Sequence, residues 1–107
     1  MKVQRCFSLA ILLVAVSMTT FAAGMVAVTQ KGRKFSASDI QILRGDTIRF
    51  NNEDKFVHQI YVESPNFTYE SDEQPPGNNI DVIFTKSGLF EVRCHIHPKM
   101  LLRVDVH

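Results

Sequence analysis

An all-β sandwich or barrel of antiparallel strands, carried behind an N-terminal export leader, is the fold class that the sequence predicts. Three observations predict it. Apolar residues recur at every second position, turn residues interrupt the chain at short intervals, and no stretch after the leader carries a helical apolar period. At 107 residues the chain has room for one domain. Its 45% hydrophobic and 21% charged content excludes a disordered tail, a collagen-like fibre and a coiled coil. A net charge of +1 argues against a nucleic-acid binder held by a basic surface.

The leader comes first. Lys2 and Arg5 make a short positive start, Cys6 to Ser17 is almost wholly apolar, and small residues follow at Thr20, Ala22, Ala23 and Gly24. This is the three-part pattern of a secretory signal peptide, so residues 1–24 are expected to be cleaved and residues 25–107 to form the domain. The alternative is an uncleaved anchor, for which the apolar run is short. Without Lys2 and Arg5, 10 basic residues face 11 acidic ones, and the mature chain sits near −1. It keeps one cysteine, Cys94. A lone thiol in an exported chain has no internal disulfide partner, so it calls for another role.

The strands then follow in order. Val26 and Val28 share one face of the first, and Ile40 and Ile42 one face of the next. After the Arg44-Gly45-Asp46 turn, Ile48 and Phe50 alternate with Thr47 and Arg49. Beyond the polar loop Asn51-Asn52-Glu53-Asp54, His58, Ile60 and Val62 share a face opposite Gln59 and Tyr61. Ile80, Val82 and Phe84 form another alternating set, closed by Lys86-Ser87-Gly88. Phe90, Val92 and Cys94 point one way while Leu89, Glu91 and Arg93 point the other, and Leu102, Val104 and Val106 end the chain. Glu63 to Asn79 breaks the pattern with Pro65, Pro75, Pro76 and Gly77 among Glu63, Glu70, Asp72 and Glu73. It reads as a long solvated loop, with room for a short helical turn. A domain of roughly 80 residues buries a modest core, to which a bound metal would add stability.

The chemistry lies in Cys94-His95-Ile96-His97-Pro98-Lys99-Met100. A thiolate, an imidazole and a thioether fall within seven residues, where one strand ends and the last has not begun. A tight loop there can turn Cys94, His97 and Met100 toward one point. His58 lies far upstream, but loops at one pole of a sandwich cluster, so it can meet them. Two His, one Cys and a weak axial Met make the trigonal site of a blue-copper centre. Each residue also has a purely structural reading: Cys94 as a buried thiol, Met100 as core, His58 as a surface imidazole. A zinc site of Cys94, His95, His97 and His58 is a further alternative, which leaves Met100 without a task. Strand alternation turns His95 away from Cys94, so it reads as exposed. Arg93, Lys99 and Arg103 flank the loop and can bias partner choice by charge.

Gly45-Asp46-Thr47-Ile48-Arg49-Phe50-Asn51, the run from Asn51 to His58, and Gly88-Leu89-Phe90-Glu91-Val92-Arg93-Cys94 together resemble the cupredoxins. The spacing of Cys94, His97, Pro98 and Met100 is most similar to the short ligand loop of amicyanin. The resemblance spans about Val26 to Val106. It implies a Greek-key β-sandwich with one type 1 copper ion, Cu(I)/Cu(II), in the periplasm. It further implies that His58 and Cys94 are ligands, that His97 is the solvent-near ligand, and that Met100 is the long axial one. The chain departs from the family at Gln59, where Asn is usual, at His95 and Ile96, often Ser or Thr and Pro, and at Leu102, where Gly is common.

The expected function is a monomeric electron shuttle whose redox partner proteins dock near His97. No enzymatic chemistry, nucleic acid or stable membrane insertion after cleavage is expected. The alternative is a periplasmic copper carrier or chaperone that delivers copper to a cuproenzyme. A third reading is an interaction module that keeps the fold and binds no metal.

Overall fold

The structure, a computed structural model, describes residue 8, residues 10–15 and residues 23–107. Most of the leader expected over residues 1–24 lies outside the described residues. Among the described residues no helix is long and apolar enough to cross a membrane.

Nine strands follow one another among the described residues: β1 (Met25–Lys31), β2 (Lys34–Phe35), β3 (Asp39–Ile42), β4 (Thr47–Asn52), β5 (Ile60–Glu63), β6 (Thr68–Glu70), β7 (Asn79–Ile83), β8 (Gly88–Cys94) and β9 (Leu101–Val106). They form two sheets, one ordered β2-β1-β4-β7 and the other β3-β9-β8-β5-β6. Alternation puts Val28, Ile48, Phe50 and Val82 of the first sheet into the interior, facing Ile60, Val62, Phe90, Val92, Leu102 and Val104 of the second. Each of these side chains contributes about 1.5–3 kcal/mol by leaving water. Phe67 seals one end, with its ring centroid 5.3 Å from Phe84 and 5.4 Å from Phe90.

Two expectations are corrected. The sandwich is not wholly antiparallel. β1 runs parallel to β4, with Val28 beside Phe50, and β3 runs parallel to β9, with Ile40 beside Val104. The chain passes from one sheet to the other between β2 and β3 and again between β3 and β4. Parallel neighbours can therefore form without a local hairpin. A period of two fixes which face is buried but carries no information on the direction of the neighbour. The second correction concerns residues 63–79. Thr68–Glu70 is a strand that pairs with β5, with Tyr61 opposite Glu70, and Gln74 bridges to His58. The segment is stitched to the sheet instead of standing free, and its three-residue strand is too short to show a period.

The hairpin between β1 and β2 turns on Gly32 and Arg33, with φ of 62° and 56°. A two-residue hairpin turn that follows the strand twist needs positive φ at both positions, and Arg33 carries the steric cost. Its stabilising partner lies in the site.

Candidate metal centre

Three elements converge at one pole. The first is the segment before β5. His58 exchanges backbone hydrogen bonds with Gln74: the His58 N–H donates to the Gln74 carbonyl at 3.0 Å, and the His58 carbonyl accepts from the Gln74 N–H at 2.7 Å. The second is the end of β8, where Cys94 sits opposite Ile60. The His95 N–H donates to the Gln59 carbonyl at 2.9 Å, so the two segments stay locked beyond the last paired residues. The third is the loop after β8, closed by the Met100 N–H donating to the His97 carbonyl at 3.0 Å.

Cys94, 1% exposed, and His58, fully buried, face each other across the interior. His58 Nδ1 is 3.7 Å and His97 Nδ1 3.9 Å from Cys94 Sγ. The donor atoms of His58, Cys94 and His97 all lie within 4.8 Å of one another, a cluster able to hold a metal ion. The two imidazole centroids are 4.9 Å apart. The Gln59 N–H points at Cys94 Sγ at 3.5 Å, a contact that stabilises negative charge on sulfur. Met100 belongs to the same loop and is 2% exposed. Two imidazoles and a thiolate, with a thioether close in sequence, are donors of the softness that copper takes in a trigonal site. The residues present thus fit a copper ion.

His97 is half-buried, and its pKa is held below the usual histidine value. Burial is the largest cause, the charge that His58 carries when protonated and the Arg33 guanidinium push the same way, and Asp54 opposes them. At neutral pH its ring is a neutral donor.

Residues that sequence reasoning passed over hold these side chains. Asn52, 2% exposed, donates from Nδ2 to the carbonyls of Phe56 and Gln74 at 2.8 and 2.9 Å. Its Oδ1 accepts from the Asp54 N–H at 2.9 Å. One side chain therefore shapes the loop before His58 and anchors the segment across from it. Asp54 accepts from Gly32 N–H at 2.5 Å and Arg33 N–H at 3.1 Å, which satisfies the hairpin turn, and lies 2.7 Å from His58 Nε2. A polar loop of Asn and Asp signals a turn in sequence but does not say which carboxylate faces the imidazole.

Around His97 the surface is apolar and basic. Phe56 and Ile96 are 45% and 46% exposed. The Phe56 ring stands edge-on to His97 at 6.2 Å, and the Arg33 guanidinium lies 4.8 Å over Phe56. A depression of about 460 Å³ beside it is lined by Gly32, Arg33, Lys34, Ile96, His97, Pro98 and Lys99, with no acidic residue. His95 stands apart from the cluster. It lies against Tyr61 on the outer face of the second sheet, in a depression lined also by Glu63, Tyr69 and Glu70.

Two such sheets define a cupredoxin fold, and comparison with known structures shows the same. A purple cupredoxin from Nitrosopumilus maritimus superposes with a TM-score of 0.67 at 19% identity, over 76% of this chain and 98% of that one. A reduced single-substitution variant of amicyanin gives 0.72 at 20% identity, over 81% and 86%. A Cu-containing nitrite reductase from Thermus scotoductus gives 0.70 at 27% identity over 88% of this chain, which spans only 25% of that enzyme. No protein-family profile and no curated protein sequence matches the chain.

Proposed function

We propose that this protein is a type 1 copper protein that carries single electrons between redox partners and performs no substrate chemistry of its own. The observation that carries this reading is the convergence of His58, Cys94 and His97 donors within 4.8 Å at one pole of a cupredoxin sandwich. His58, Cys94, His97 and Met100 are the proposed ligands. Copper, when bound, supplies a one-electron couple. The protein's part is to keep the donors where neither oxidation state demands rearrangement. The β5 to β8 register and the Gln59 N–H hold the sulfur, and the Asn52 and Gln74 bonds hold His58.

His97 and its apolar, basic surround form the proposed docking face. Arg33, Lys34 and Lys99 favour partners with an acidic rim and speed encounter by steering. The reading includes cleavage of residues 1–24 and a place in the periplasm, for which the leader pattern is the support. The full burial of His58 and the 1% exposure of Cys94 favour retention of the ion over hand-off by a copper carrier. Repeated voltammetric cycling of the copper-loaded protein beside a copper chelator tests this. A shuttle keeps a reversible one-electron wave and its copper. A carrier loses copper to the chelator on the timescale of the reduced state.

A further inference from the structure

Among the described residues Asp54 is the one acidic group buried against the proposed ligands. Its side chain is 6% exposed and the His58 side chain 0%. Its two oxygens meet three donors: Gly32 N–H and His58 Nε2 at opposite oxygens, with Arg33 N–H beside the latter. A buried carboxylate with this many donors stays anionic, since neutralising it would break bonds that nothing else replaces. A neutral imidazole carries a proton on one nitrogen only. With an anionic acceptor at Nε2, that proton sits on Nε2, and Nδ1, 3.7 Å from Cys94 Sγ, is left bare.

We propose that Asp54 is a positioning residue for the metal centre: it fixes the His58 ring and tautomer so that Nδ1 faces Cys94 and His97, and its charge biases the site toward the more highly charged metal. This rests on the copper reading and deepens it. A carboxylate hydrogen-bonded to the remote nitrogen of a metal-binding imidazole makes the ring a stronger donor and orients it. Its full negative charge, little screened in the interior, stabilises Cu(II) over Cu(I). The same carboxylate also clamps the tip of the β1–β2 hairpin, whose Gly32, Arg33 and Lys34 line the depression beside His97. The inner imidazole and the docking face are thereby tied through one side chain.

Asp54→Asn keeps an acceptor oxygen and removes the charge, and Asp54→Glu keeps the charge and shifts it by a methylene. Asp81→Asn, which breaks an exposed pair with Arg49 on the outside of β7, is the control. In Asp54→Asn the Zn(II) affinity should fall about 10–100-fold. The ratio of Cu(II) to Cu(I) affinity should fall about tenfold, a rise of about 59 mV in potential for one electron. Asp54→Glu should recover part of both, and Asp81→Asn should move neither. Nitrogen-15 NMR of the metal-free wild type should show His58 protonated at Nε2. A His58 protonated at Nδ1 overturns the proposal, as does Asp54→Asn with the Zn(II) affinity and potential of the wild type. If Asp54→Asn fails to fold, Asp54→Glu and the wild-type NMR still decide. The Zn(II) and NMR readings need no copper. If they behave as stated while Cu(II) gives no thiolate colour, the copper reading fails and the role of Asp54 stands.

Discussion

The imidazole of His95 lies flat on the ring of Tyr61, centroids 3.9 Å apart and planes 12° from parallel. Its Nε2 is 3.2 Å from Glu70 Oε1. The residue next to Cys94 in the chain is thus committed to the outer face of the second sheet, and His97, two residues further, turns in. Alternation turns His95 away from Cys94, and the loop after β8, no longer extended, brings His97 back in. His95→Ala should therefore leave the thiolate-to-copper band in place and cost only the stacking energy, about 0.5–1.5 kcal/mol. His97→Ala should change the band's position and intensity. Visible titration with Cu(II) checks both, and loss of the band in His95→Ala would mean that the wrong imidazole was assigned.

Asn52→Ala removes a buried amide that serves two carbonyls and one N–H. The partners left behind are the Phe56 and Gln74 carbonyls and the Asp54 N–H, and the buried ones cannot turn to water. The expected loss is about 1–3 kcal/mol in denaturant unfolding of the metal-free protein. Copper affinity should weaken as well, since the loop before His58 loses its template. A variant with wild-type stability would show that water replaces the amide freely.

The acid side of the stability profile should report Asp54. Burial is the largest single influence on its carboxyl and pushes the pKa up. The His58 hydrogen bond, the Arg33 and Gly32 N–H groups and the His58 charge together outweigh it and hold the carboxyl below its ordinary value. A lowered folded value means that the unfolded chain takes up the proton first. The stabilisation is complete above the unfolded value, about 3.9, and is lost as pH falls through the lower folded value. Unfolding of the metal-free wild type from pH 6 to 2 should show this decline, and Asp54→Asn should flatten it. Equal slopes in the two proteins would contradict the assignment.

The basic surround of His97 should govern encounter. Oxidation of the reduced copper protein by an anionic iron hexacyanide complex should slow as salt rises, because screening removes the attraction. Lys99→Glu and Arg33→Glu should each slow it at low salt and lessen the salt dependence. Rates indifferent to both substitutions would place electron exit elsewhere on the surface.

Much of the fold was legible because the interior is built from strict alternation. Period alone puts Val28, Ile48, Phe50, Ile60, Val62, Phe90, Val92, Leu102 and Val104 on shared apolar faces, and all are buried, while Val26, Ile40 and Ile80 of the same sets are only half-buried. The parallel pairs β1–β4 and β3–β9 were not legible, because neighbour direction depends on how the chain crosses between sheets. Thr68–Glu70 escaped notice because three residues carry no measurable period. At the site, the Cys94 to Met100 spacing is local and can be read directly. The approach of His58 needed the argument that loops gather at one pole. The Asp54 to His58 bond and the double role of Asn52 are tertiary facts of a loop, with no repeating spacing to announce them.

The central claim is that the sulfur of Cys94 and the imidazoles of His58 and His97 close on one copper ion. Titration of the folded protein with Cu(II), followed by visible absorption, tests it most directly. The account predicts an intense sulfur-to-metal band that saturates at one ion per chain and is absent in Cys94→Ser. A folded wild type that stays colourless through one equivalent, or a band that survives in Cys94→Ser, would contradict it.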